Sequence, residues 1–227
     1  SGAAFGAALA IILGFEGMGL TASAFVFSLL TILLVYIIGS KAKGYRTIGL
    51  VLAGLMVSSI AQAGTCFIKL VADQTNQLPA ITYWMMGSLA SAKSQDLIFA
   101  AVVITVGIVP IWLLRWKLSV LTVGEDEAAS MGVNVTKVRF ISLVAATLVT
   151  AAAVSVSGVI GWVGLVVPHF CRKLVGNNLK YLMPAVMLSG AAFMLAVDDV
   201  SRCLLAIEIP IGILTALIGA PFFLYLI

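Results

Sequence analysis

Gly158 to Arg172 reads GVIGWVGLVVPHFCR, and this stretch decides the fold. Glycines at 158, 161 and 164 space an apolar run that meets Pro168 and then turns cationic at Arg172 and Lys173. A run that is apolar at one end and basic at the other suits a membrane segment arriving at a water interface. Proline at membrane depth is tolerated where protein or a water-filled cavity satisfies the backbone groups it frees. The segment is therefore expected to be short and broken at Pro168. His169, the single histidine, has no second histidine or neighbouring carboxylate. It reads as a structural residue near the helix end rather than a metal ligand.

The surrounding chain is of the same kind. Of its 227 residues 62% are hydrophobic and 10% charged, and the mean hydropathy is +1.18. Soluble domains carry about 25% charged residues, so this is a polytopic integral membrane protein. The fold class is all-α, because a lipid-exposed span must satisfy its own backbone hydrogen bonds. Apolar runs separated by short polar breaks predict eight segments, at 2–14, 20–39, 47–71, 96–114, 138–157, 160–175, 182–200 and 211–226. They leave no room for a soluble domain, so residues 1–227 are expected to form one membrane domain. Cys66, Cys171 and Cys203 have no metal-ligand spacing and read as apolar thiols. The chain opens at Ser1 inside an apolar helix, which is expected of a truncated N-terminus. The pentapeptide SGAAF recurs at 1–5 and 189–193, a coincidence in a chain this rich in Gly and Ala. Small residues at helix-packing spacing, as in Gly2/Gly6 and Gly54/Ser58, let helices approach closely.

Cations orient the segments. Ser40–Arg46, Arg115–Arg139 and Arg172–Lys180 together hold ten of the thirteen Lys and Arg residues, so these loops are cytoplasmic. The net charge of +4 reflects those loops and not a nucleic-acid partner. Glu16, Asp73, Asp96, Asp198, Asp199 and Glu208 fall on the outer side. There, Asp73–Gln95 reads as an amphipathic connection whose Tyr83, Trp84 and Met85 suggest a short interfacial helix, with its rings at headgroup level.

The longest cytoplasmic excursion is Arg115–Arg139. Within it Gly124, Glu125, Asp126, Glu127, Ala128, Ala129, Ser130, Met131 and Gly132 spell a short helix between two glycines. Its leading acids oppose the positive end of the helix dipole. Antiparallel helices need only a few connecting residues, and loops beyond about a dozen tend to be functional. The excursion is expected to dock a cytoplasmic partner. On the outer side Arg202 follows Asp198 by four residues. A local ion pair and a projecting cation for an acidic partner are both open there.

The motifs YWMMGSL (83–89), VGEDEAASMGV (123–133), GWVGLVVPHFCR (161–172), DDVSR (198–202) and EIPIGILTALIGAPFF (208–223) occur in one order. Together they resemble the FecCD-type permeases of bacterial and archaeal ABC importers, which include vitamin B12, haem and ferric-siderophore permeases. The resemblance covers essentially the whole chain, and the PH-containing and EIPIG stretches are its most specific parts. It implies a ten-helix permease of which this chain holds the third to tenth helices, without the first two. It also implies a multi-pass protein of the cytoplasmic membrane, with several partners. These are a second permease copy, two ATP-binding cassette ATPase subunits, an extracytoplasmic substrate-binding protein and the lipid bilayer. Residue by residue, Gly124–Gly132 matches the element that couples to the ATPase. Thr47 matches the cytoplasmic gate, and Arg202 matches an outer arginine that pairs with a carboxylate of the binding protein.

The residues themselves favour the same class. No GxxxxGK[ST] pattern occurs, so the energy of ATP is expected from another subunit. Few ionisable groups lie in the spans, whereas an ion- or proton-coupled secondary carrier, the alternative, places some at midplane. An intramembrane enzyme would need a catalytic pair, and neighbouring Asp198 and Asp199 project to different sides of a helix. No catalytic residue, metal ligand or cofactor is expected in this chain. A pathway without fixed charges suits a bulky iron chelate or tetrapyrrole (siderophore, haem or cobalamin type) ahead of an oxyanion such as molybdate.

Overall fold

The computed structural model describes the backbone of residues 1–40, 46–90, 92–204 and 208–226, and their side chains except at 46–47 and 223–226. Among the described residues the regular structure is all helix, without a strand. The helices are α1 (Gly2–Ile12), α2 (Met18–Ser40), α3 (Arg46–Val71), α4 (Gln77–Met86), α5 (Ser94–Leu113) and α6 (Arg115–Leu121). They continue with α7 (Glu125–Ser130), α8 (Val135–Ser157), α9 (Val163–Val175), α10 (Leu179–Cys203) and α11 (Ile211–Leu226).

All eight expected segments contain a helix, and length and composition support five of them as spans. Among the described residues five helices are long and apolar enough to cross a bilayer: α2, α3 from Ile48, α5, α8 and α10. A hydrocarbon core of about 30 Å needs about twenty residues at 1.5 Å each. Helix α1 has 11 residues, α9 has 13 and α11 has 16, so each falls short on length.

The chain divides into two compact units. The first comprises Ser1–Ile104 and Thr147–Val159. Here α1 lies against α2 through its small residues. A Cβ on Gly2 would meet Thr31 Oγ1 at 2.0 Å, and one on Gly6 would meet the Ser23 carbonyl at 2.7 Å. Ser23 Oγ donates to the Gly6 carbonyl at 2.8 Å, and Phe5 meets Phe27 edge-on with centroids 5.4 Å apart. The close helix approach expected of small residues holds here, since hydrocarbon gives helices no hydrophobic reason to associate and contact must come from packing. At the outer end, Thr21 Oγ1 donates to Asp96 Oδ1 at 2.9 Å, and both residues are buried. Asp96 lies in the first turn of α5, where the helix dipole favours a carboxylate.

Helix α4 is the short helix expected after Asp73, which accepts the Asn76 N–H at 2.8 Å just ahead of it. Its aromatic rings divide differently from expectation. Tyr83 is exposed, while the Trp84 ring packs with Ala3, Ala7, Ala24 and Val154. The helical period explains this: Leu78, Ile81 and Met85 share a face that meets Ala8 and Ile68. Trp84 borders that face and Tyr83 opposes it.

The second unit comprises Thr105–Ala146 and Ile160–Ile227. Helices α9 and α10 form a hairpin around Val167, Cys171 and Leu182. Gly176 closes α9 at φ +78°, and Asn178 Oδ1 caps α10 by accepting the Lys180 N–H at 3.0 Å. The expected break at Pro168 is absent, because α9 runs through it. The discontinuity falls instead at Trp162, the helix N-cap, which holds φ +68°. Left-handed backbone at a bulky residue is strained and persists only when its surroundings over-determine it. Gly219 of α11 supplies that constraint: a Cβ there would lie 2.4 Å from the Trp162 Cβ. Once Trp162 has opened the turn, Pro168 costs α9 one hydrogen bond to the Gly164 carbonyl and leaves the helix continuous. His169 therefore stands mid-helix and not at the helix end.

Candidate functional site: the short-helix module

The acidic stretch becomes a built element in the second unit. Thr122 and Val123 end α6, and Gly124 leads into α7. Ala128 is completely buried and joins Val120, Val133 and Val138 in a small apolar core, flanked by Leu114, Leu118, Leu121 and Val135. Gly132 turns the chain at φ +78°, which returns the Val133 N–H to the Ala128 carbonyl at 3.0 Å. Asn134 then caps α8, its side chain accepting the Lys137 N–H at 3.0 Å. A six-residue helix has little stability alone. This one is held by its core and by the turn at Gly132.

Its three acids have distinct surroundings. Glu125 pairs with Arg139 of α8, which ties the module to the start of a span. The Glu127 carboxylate folds back on Gly124, so that a Cβ there would lie 1.9 Å from its Oε2. This is where the third residue of a capping box reaches back to the N-cap. Asp126 is exposed and, among the described residues, makes no ion pair. Around it stand Val123 and Met131, 74% and 58% exposed. Both apolar side chains flank the acidic helix in the sequence and stand open. Sequence reasoning included Met131 but missed Val123 and Arg139. The available signal was an apolar residue directly beside a glycine, and a cation early in the next helix.

The other two site residues stand elsewhere. Thr47 is in the first turn of α3, and its side chain lies outside the described residues. Arg202, in the last turn of α10, donates from Nε to Asp198 Oδ2 at 3.0 Å and from Nη2 to Asp198 Oδ1 at 3.2 Å. The local ion pair foreseen as one option is thus present, with the arginine side chain still about half exposed at 48%. Among the described residues no group of His, Cys, Asp and Glu could hold a metal ion.

Five helices long and apolar enough to span a bilayer, with many large hydrophobic side chains exposed, define a multi-pass membrane protein. The chain belongs to the FecCD transport family, whose pattern matches residues 1–227. It is 40% identical over 98% of its length to the molybdate import system permease protein MolB of Haemophilus influenzae. It is 41% identical over its full length to the cobalamin import system permease protein BtuC of Halobacterium salinarum. Against the hemin transport system permease protein HmuU of Yersinia pestis the identity is 35%, again over the full length. The chain spans 66%, 61% and 70% of those three proteins. Among solved structures it superposes on an inward-facing ABC transporter assigned to the metal-chelate type. The TM-score is 0.93 at 39% identity, covering 100% of this chain and 73% of the other. Membership places the chain in a transport family whose relatives are named as import permeases. Three relatives at nearly equal identity are named for three different cargos, so identity alone does not select one.

Proposed function

We propose that this chain is the membrane-spanning part of the permease of an ATP-driven ABC importer, moving a metal chelate inward by alternating access. The observation that carries the reading is the family match along the whole chain, with import permeases as its relatives. The cargo we favour is an iron-siderophore, haem or cobalamin type chelate. Residues 1–227 act as one permease domain in which the short helices α1, α9 and α11 complete eight spans. The chain works with a second permease copy, two ATPase subunits and an extracytoplasmic binding protein, and needs no cofactor of its own. In reconstituted vesicles holding the full-length permease with these partners, chelate uptake should require ATP and persist with a protonophore. Uptake that is independent of ATP and abolished by the protonophore would identify a secondary carrier instead.

Three sites serve this cycle. The module Gly124–Gly132 engages the ATPase, and Asp126, Val123 and Met131 offer it an acid between two apolar contacts. Thr47 narrows the cytoplasmic end of the pathway opposite the same residue of the second copy. A cysteine at 47 should cross-link between copies in at least one nucleotide state, since a disulfide needs Cα atoms about 4.4–6.8 Å apart. No cross-link in any state would remove Thr47 from the gate.

Arg202 receives a carboxylate of the binding protein. Its pairing with Asp198 orients the guanidinium, and an exposed, solvent-screened pair of this kind is weak enough for a partner to compete. Arg202→Glu should leave folding intact and weaken binding-protein association about tenfold or more, with partial rescue by an acid-to-Arg change on the partner. Unchanged association would leave the arginine as a helix-end ion pair and nothing more.

A further inference from the structure

We propose that the corner between α5 and α6, formed by Trp112, Leu113, Arg115, Trp116 and Lys117, binds anionic phospholipid in the cytoplasmic leaflet. Helix α5 is a span-length apolar helix that ends at Leu113, and α6 begins two residues later. Helix α6 is two-faced. Leu118, Val120 and Leu121 turn, with neighbouring Leu114, into the small core beneath α7. Leu113, Trp116 and Lys117, spaced one helical turn apart, remain exposed, at 76% and 57% for the two apolar residues. A large indole and a leucine open beside a charged residue suit the boundary between acyl chains and headgroups. They also continue the lipid-facing surface of the span from which they emerge.

The charge at this corner identifies the headgroup. The Arg115 guanidinium stands over the Trp112 ring, 5.2 Å from its centroid, so the cation is carried at the level of the indole. No acid occurs in the sequence between Asp96 and Glu125, and Glu125 is taken by Arg139. Among the described residues neither Arg115 nor Lys117 makes an ion pair. Two uncompensated cations beside two indoles fit a ligand that joins a negative headgroup to an acyl chain. An acidic soluble surface would answer the cations but would leave Leu113 and Trp116 without an apolar medium. Because α6 shares its core with α7, headgroup binding here would also brace the module that contacts the ATPase. That last step rests on the coupling role given to α7, whereas the lipid site itself does not.

The test uses full-length permease in nanodiscs of phosphatidylcholine containing phosphatidylglycerol, with bromine-labelled acyl chains on one lipid at a time. The Trp116 signal is isolated by difference from Trp116→Phe. Brominated phosphatidylglycerol should quench Trp116 at least about fivefold more effectively than brominated phosphatidylcholine, as expected for two interfacial cations. Arg115→Gln with Lys117→Gln should abolish the preference, and Arg115→Lys should keep it. Equal quenching by the two lipids in the unmodified permease would overturn the proposal. So would loss of the preference on adding inorganic phosphate, which would assign the cations to a soluble anion. Loss of quenching on adding the ATPase subunits would assign the surface to protein. If the double variant fails to enter discs, the lipid comparison and the phosphate competition on the unmodified permease decide alone.

Discussion

Replacing Glu125, Asp126 and Glu127 together with lysine should abolish transport while the permease still inserts and folds. The substitution removes the Glu125–Arg139 pair, which is partly exposed and therefore worth about 0.2–1 kcal/mol. It also places cations at the positive end of α7, a loss of about 0.3–1 kcal/mol per charge. Ala128, Val120, Val133 and Val138 are untouched, so the core that shapes the module survives. At the ATPase contact the change is six charge units, and like charges facing each other across an interface cost several kcal/mol. Association should fall about a hundredfold or more, at about 1.4 kcal/mol per tenfold, and ATP-dependent uptake should fall with it. Co-purification of the ATPase with the variant, together with an uptake assay, checks both. Normal association and uptake would remove the coupling role from this module.

The second large effect should come from one atom. Gly158→Ala is expected to destabilise the permease by about 3 kcal/mol or more, combining two named penalties. Gly158 holds φ +71°, a conformation that costs a residue with a Cβ about 1–2 kcal/mol. Its new Cβ would also stand 2.3 Å from the Trp84 carbonyl oxygen and 3.0 Å from the Gly87 Cα. Both obstacles are backbone, so no rotamer change relieves them. The contact is reinforced by the Ser88 N–H, which donates to the Ser157 carbonyl at 2.9 Å. Gly161→Ala, three residues on, should change stability by less than about 1 kcal/mol, because nothing lies within 4 Å of a Cβ there. Thermal unfolding of the two variants in detergent compares them directly. Equal midpoints would mean that the backbone at Gly158 is not clamped as described.

The sequence by itself determined the class of this protein. Hydropathy located every long helix to within a few residues, because a span must bury apolar side chains over about twenty positions and satisfy its own backbone. The order of motifs led to the family. The acids of Glu125–Glu127 and the glycines around them disclosed a helix, since caps and dipole effects are local. Only the tertiary structure decided the rest. Pro168 read as a break, yet the strain sits at Trp162, where Gly219 of a helix nearly sixty residues away fixes the backbone. RWKLSVL read as loop, and forms α6 because its leucines have a core to enter. Gly158, Gly161 and Gly164 look alike in GVIGWVG, but only the first is pressed against another backbone. Trp84 packs among alanines of α1 and α2, whereas its neighbour Tyr83 stays exposed. In each case the deciding contact joins residues far apart in the chain, and periodicity, capping and charge report only on neighbours.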